Sequence, residues 1–183
     1  MIDRWMSWEG GVDLCAATRS DLAMPNVLVH VARVVHTPLG SAPAGMVLYQ
    51  PDPNGAPLVI GFVCTDPKIG AYFGPRIFAG TPFEGAPVHT AKIAITTDLP
   101  GAVGARVEVG GHVFETRLEG LGGLSVIDRA PGGMTPFRQQ GLEAVAKRAT
   151  LKVDGVAVAL ALPERGISGG APAVWAPAGV YAR

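Results

Sequence analysis

Charge is scarce in this chain. Asp, Glu, Lys and Arg together make up 16% of its 183 residues, and 15 acidic side chains stand against 15 basic ones. Without an excess of either sign there is no basic stripe or acidic tail of the kind that meets nucleic acid or an anionic membrane surface. Cysteine is nearly missing. Cys15 and Cys64 are the only two, which fits a reducing compartment and two buried small hydrophobes better than a disulfide framework. Long apolar runs are missing too, since no window approaches the roughly 18 to 20 residues of a spanning helix. The opening MIDRWMSWEGG carries charge from the start and has no apolar core of a secretory signal. The expectation is a cytoplasmic protein with neither membrane nor nucleic-acid partner. No HxH, HExxH or CxxC pattern occurs, so neither a metal nor a cofactor is expected.

What the chain has in quantity is apolar residues, at 48%, and turn formers, with 25 glycines and 16 prolines dispersed between apolar runs. That composition excludes disorder and suits a single domain over residues 1–183, long enough to bury a core. Strand signals dominate. NVLVHVARVVHT (26–37) is β-branched and alternating, which places Val27, Val29, Val31 and Val35 on one face. GMVLYQ and PLVIGFVCT follow, joined by PDPNGA, whose Asn54-Gly55 pair tolerates positive φ and marks a hairpin. HTAKIAITTD, ARVEVGG, HVFETRLEG and LSVIDRA read as further strands, with turns at Gly110-Gly111 and, later, between ATLKVDG and VAVALALP at Asp154-Gly155. One helix is expected where Thr135 caps, Pro136 takes the first position, and Phe137, Leu142, Val145 and Ala149 form a face. A second short helix is a candidate at 7–16, and a helical turn within 64–77. Many short strands with few intervening helices argue for a β-barrel or sandwich.

Several chemical motifs fall away on inspection. GISGG (166–170) has the G-x-S-x-G form, but no histidine follows His112 and no helix follows the serine, so a loop with a solvated serine is the better reading. His30 and His36 share a face of an extended strand yet lie roughly 20 Å apart along it, too far to hold one ion. His89 and His112 begin different strands. Cys64 ends an apolar strand without a recognisable partner base.

The segment GAYFGPRIFAGTPFEGAPVHTAK (70–92) holds more chemistry. Tyr72, Phe73, Phe78 and Phe83 are four of the chain's twelve aromatics, and they either plug a barrel end or wall a site. Arg76 among them suits a carboxylate, because its fork binds two oxygens at once. Lys92 is one of four lysines and lies within an apolar strand. Buried there, it would be a neutral amine able to attack a carbonyl; exposed, it would be a strand residue with its tip in water.

From Pro57 to about Gly120 the chain resembles the acetoacetate decarboxylase superfamily. That family's pattern D-x-P-A-I-A-x-G-R-E-I-x-G-x-P-K-K-L-A is echoed by Asp66, Pro67, Ile69, Gly70, Gly74, Arg76, Ile77, Gly80 and Pro82. ARVEVGGHVFETRLEG is similar to the hairpin that follows in the family, and AVWAPAGVYAR to its ending. The resemblance implies an antiparallel β-barrel or cone with one or two peripheral helices, and decarboxylation of a small keto acid through a lysine Schiff base. The family's tandem lysines are not here: Phe83 and Glu84 follow Pro82, and Lys92-Ile93-Ala94 align with its K-L-A only across an insertion, leaving Ala91 at the other lysine position.

The combined expectation is a pocket for a small organic acid or carbonyl compound. Arg76 would anchor the ligand, Tyr72, Phe78 and Phe83 would wall it, Lys92 would be the candidate amine, and His89 or Glu84 the proton carrier. The alternative is a non-catalytic binding protein or a structural subunit, with a homo-oligomer expected in either case.

Overall fold

The computed structural model describes residues 4–132 and 135–183. Twelve strands, β1 (Trp5–Ala16), β2 (Val27–Thr37), β3 (Gly40–Tyr49), β4 (Val59–Cys64), β5 (Val88–Thr90), β6 (Lys92–Asp98), β7 (Ala102–Val109), β8 (His112–Leu121), β9 (Ser125–Arg129), β10 (Arg138–Val153), β11 (Val156–Val158) and β12 (Ala173–Ala182), make one sheet. Its order is β5-β4-β3-β2-β1-β12-β10-β8-β7-β6, with β9 and β11 each added to β10. All pairings are antiparallel except β4 with β5. The sheet curls into a half-barrel. Its two end strands, β5 and β6, are consecutive in the chain and separated only by Ala91, whose N–H donates to the Cys64 carbonyl at 3.0 Å. The expected mainly-β, antiparallel, barrel-like architecture is therefore present.

Asn54-Gly55 lies in the connection between antiparallel β3 and β4, so that hairpin is present, but neither residue takes the positive φ expected of it; the other two turns behave as the sequence indicates. Gly110-Gly111 and Asp154-Gly155 all have positive φ, and each pair joins two adjacent antiparallel strands. One short helix, α1 (Pro67–Tyr72), is started by Asp66, whose side chain accepts from the Lys68 N–H at 2.9 Å, with Pro67 in the first turn. A π-helical turn over Phe73–Ile77 continues it. Arg183, the last residue, donates to the carbonyls of Ile77 and Ala79 and pins this segment to the end of β12.

Two expected helices are strands. The 135–149 segment enters β10, a 16-residue strand paired with β12, β9 and β8. Its helix-forming Gln, Glu, Ala, Lys and Arg residues are outweighed by ladder bonds on both edges. A register shift between Leu142 and Ala144 breaks the alternation that would have identified a strand. The 7–16 segment is all but the first two residues of β1, held between β2 and β12.

The central strands are buried on both faces. One face joins Val12, Leu14, Val29, Val31, Phe114 and Leu118 into a dry half-barrel core. The opposite face joins Cys15, Leu28, Met46 and Phe62 with Tyr72, Phe73 and Ile77 of the covering segment. The faces exchange part way along. Met6 and Trp8 lie with Cys15, whereas Val12 and Leu14 point the other way, and the break falls at Gly10, where φ is +64°. In β2 a register shift between Ala32 and Val35 does the same, so Val35 leaves the face of Val27, Val29 and Val31 on which simple alternation put it. At this level Trp8 lies flat on β12, and a Cβ at Gly179 would overlap its ring.

Candidate functional site

Behind the aromatic segment is a cavity of about 60 Å³. Phe78, Phe83 and Phe137 form its apolar wall, with edge-on ring contacts from Phe78 to Phe83 at 6.2 Å and to Phe137 at 5.5 Å. Its floor is polar and comes from the middle strands: Asp13 of β1, His30 of β2 and Tyr181 of β12. Ile167 and Ser168 of the GISGG loop close one side, so that loop is a cavity wall and not free in solvent. Its turn is held by the Gly166 N–H on the Gly170 carbonyl at 2.8 Å.

His30 Nδ1 lies 3.3 Å from Asp13 Oδ2, and their side chains keep 30% and 18% exposure at the cavity. With Nδ1 facing Asp13, Nε2 is the ring nitrogen left for a ligand. Among the described residues Asp13 Oδ1 is buried without a hydrogen-bond partner, an acceptor left open. Tyr181, 3% exposed, packs against Phe137 at 4.2 Å and Trp8 at 4.7 Å between ring centres and stacks at 6.5 Å on His30.

Behind this floor a second polar layer is complete. Arg129 of β9 grips Glu143 of β10 with two bonds, Nη1 to Oε1 at 2.8 Å and Nη2 to Oε2 at 2.7 Å, and also donates to Gln139 Oε1 at 3.1 Å. Gln139 and Glu143 are both buried. The guanidinium lies against Gly170, where a Cβ would come within 2.5 Å of Nη2, so the last glycine of GISGG makes room for this pair. Glu143 lines a second, neighbouring pocket that shares Asp13 and His30 with the first.

The electrostatics follow from these neighbours. Burial opposes a charged His30, but Asp13, by charge and by hydrogen bonding, and Glu143, by charge, hold its pKa above the ordinary histidine value. Burial raises Tyr181 far above the usual phenol range, reinforced by Asp13 and Glu143, so it stays a neutral hydrogen-bond donor. Burial pushes the Cys15 thiol up to about 11, against a lowering hydrogen bond from the Ile167 backbone, which leaves the thiol in this wall unreactive.

The residues singled out from the sequence divide sharply. Phe78 and Phe83 wall the cavity. Tyr72 is buried nearby, but its hydroxyl accepts from the Trp5 N–H at 3.1 Å, and with Arg76 it borders a separate outer groove beside Pro38 and Leu39. Arg76 is thus exposed outside the cavity. Glu84 Oε2 accepts from the Gly80 N–H at 2.7 Å and serves its own loop. His89 Nε2 lies 3.0 Å from the Ile60 carbonyl. The Lys92 side chain is 85% exposed and pairs with Glu108 at 3.4 Å. An amine in water beside a carboxylate lacks the desolvation that imine chemistry requires. His30 and His36 do not share a face: His36 meets Ser41 at 2.7 Å and Glu9 at 3.3 Å on the outside.

Sequence reasoning passed over Asp13, Arg129, Gln139, Glu143 and Tyr181. The signal for Asp13 and His30 was available, a polar residue inside an otherwise apolar run in each of GGVDLCAA and VLVHVA. No family model matches this chain, and no curated protein and no solved structure matches it. Among the described residues, no helix is long and apolar enough to cross a membrane.

Proposed function

We propose that this protein binds a small carbonyl-bearing organic compound, seated between the Phe78–Phe83–Phe137 wall and the Asp13–His30–Tyr181 floor. The observation that carries the reading is an aromatic cavity ending on a few convergent polar groups, the usual build of a small-molecule site. A neutral carbonyl suits the floor better than a carboxylate. Asp13 brings a negative charge to the floor, the Arg129 fork is occupied by Glu143 and so not offered to a ligand carboxylate, and the Tyr181 hydroxyl remains as a donor to one oxygen. The acetoacetate decarboxylase-like form of the barrel belongs to the same proposal, supported by the curled antiparallel sheet and by a 70–83 segment that walls the cavity. The exposed position of Lys92 supports no lysine-based lyase, so the reading is of a pocket without an imine-forming amine.

The test is an NMR titration of the 15N-labelled protein with butan-2-one and, separately, butanoate. Saturable shifts around the cavity with butan-2-one, weaker with butanoate and at least fivefold weaker in a folded Tyr181→Phe variant, are expected. An absence of saturable shifts with both compounds overturns the reading.

A homo-oligomer is the second reading. It is favoured by Val126, 83% exposed on β9, and Val145, 49% exposed on the neighbouring β10. Sedimentation of the protein and of Val126→Lys tests it: an assembly that the substitution dissolves supports it, and a monomer at all concentrations rejects it.

A further inference from the structure

Binding alone does not explain why the floor is built as it is. An aspartate facing one nitrogen of a histidine that lines a largely apolar cavity, its other nitrogen unclaimed and a phenol stacked beside the ring, is more than recognition of an oxygen requires. We infer that the His30–Asp13 pair is a proton-transfer centre that removes and returns a proton at the carbon next to a small ketone's carbonyl, with Tyr181 donating to the carbonyl oxygen. This rests on the proposed carbonyl site and goes beyond it by assigning a reaction class, enolisation, and a role to each group.

The step balances without any cofactor. Neutral His30 takes the α-proton at Nε2, and the C–H electron pair becomes the C=C bond. The carbonyl π pair moves to oxygen, where the Tyr181 hydroxyl meets the developing charge. Return of the proton from Nε2 to the α-carbon, as an oxygen lone pair re-forms the C=O bond and the Tyr181 hydroxyl keeps its own proton, restores the ketone, and in D2O this step places deuterium on that carbon. His30 is the base. Asp13 is a positioning residue: it fixes the tautomer that leaves Nε2 as the lone-pair nitrogen and strengthens that nitrogen as a base. The cavity has room for about four or five water-sized groups, enough for the reacting end of a small ketone.

The groups that set the pH dependence are those packed around the imidazole: Asp13 from β1, Glu143 from β10 with Arg129 from β9 behind it, and Tyr181 from β12. The active form is the neutral ring, so the rate rises with pH and levels off above the His30 pKa. Removing the Asp13 charge moves that midpoint to lower pH.

The experiment follows deuterium incorporation from D2O into butan-2-one by proton NMR, with 2-oxobutanoate as the anionic comparison. Expected is exchange at least tenfold above buffer for butan-2-one. It should be lost in His30→Gln, reduced about tenfold in Tyr181→Phe, and reduced with a downshifted pH midpoint in Asp13→Asn. His36→Gln, outside the cavity, should leave it intact, and folding of every variant is checked by circular dichroism. Should the Asp13→Asn variant fail to fold, the same midpoint shift is read in Asp13→Ser, where the charge is likewise removed. Saturable binding of butan-2-one without accelerated exchange overturns this inference and leaves the pocket standing, whereas no binding removes both. Exchange that persists in His30→Gln, or that falls in Asp13→Asn with an unmoved midpoint, also overturns it.

Discussion

The two faces of the central strands are made from the same residues of backbone yet could hardly differ more in content. Toward the half-barrel, β1, β2, β10 and β12 present Val12, Leu14, Val29, Val31, Leu151 and Ala173, and a buried polar group such as Thr116 is the exception. Toward the covering segment the same four strands present Asp13, His30, Glu143 and Tyr181. The dry face follows the rule that a half-barrel closes on β-branched and aliphatic side chains. The wet face breaks that rule in one place, and proteins accept buried polar groups of this kind where function needs them. The contrast divides stability from chemistry between two sides of a single sheet.

The largest expected difference comes from making one substitution on each side. Phe114, fully buried and edge-on to Tyr49 in the dry core, should lose about 3–5 kcal/mol as Phe114→Ala. Phe83, half-buried in the cavity wall, should lose only about 1 kcal/mol as Phe83→Ala, because the cavity already leaves one side of its ring unpacked. Urea unfolding of both variants measures this. Equal losses would mean that the cavity wall is as much a part of the folding core as the half-barrel.

Next in size is the ion pair behind the floor. Glu143→Gln leaves the Arg129 guanidinium without its carboxylate in a largely buried setting, and about 2 kcal/mol is expected after allowing for the part of Arg129 that solvent reaches. Replacing both partners, as Arg129→Met with Glu143→Leu, should restore much of that stability. If the double variant is as weak as the single one, the pair stabilises the fold outright and does not simply satisfy itself.

How legible these two faces were depends on how local their signals are. The dry face is written as alternation within single strands, so Val27, Val29 and Val31 could be read directly, and the paired glycines marked the hairpins. The bends at Gly10 and between Ala32 and Val35 defeat that reading, because they move Val35 and His36 across the sheet with no change in composition. β10 was harder still. Gln139 and Glu143 point inward and Val145 outward, so its polar and apolar positions fit a helical face as well as a strand. The site itself draws on β1, β2, β9, β10 and β12, and only the sheet order brings Asp13, His30, Arg129, Glu143 and Tyr181 together. The aromatic wall at Phe78 and Phe83 was visible because it lies in one continuous segment.

A smaller effect separates the faces by pH. The folded protein raises the His30 pKa, so binding the proton stabilises the fold. That stabilisation is fully present below the ordinary value of 6.5 and is lost as pH rises through the raised folded value. Chemical unfolding across this window should show wild-type stability falling with pH relative to His30→Gln. A dry-face variant such as Val29→Ala should instead shift stability equally at every pH. A His30→Gln curve parallel to the wild type would mean that Asp13 does not hold the proton.

The smallest expected effect is at Lys92, and its smallness is informative. The amine stands in water on β6 beside Glu108, remote from both buried faces, so Lys92→Ala should leave the melting temperature and butan-2-one binding unchanged. Borohydride in the presence of acetoacetate or 2-oxobutanoate should leave no reduced adduct on Lys92 by peptide mass spectrometry, since the exposed side chain has no closed apolar pocket in which to hold a keto acid. An adduct specific to Lys92 would reverse the comparison drawn between the two faces. It would mean that a third region, the exposed edge where β6 follows β5, rearranges to bring its lysine under cover, and that the chemistry of this barrel lies at its seam and not on the polar floor of its cavity.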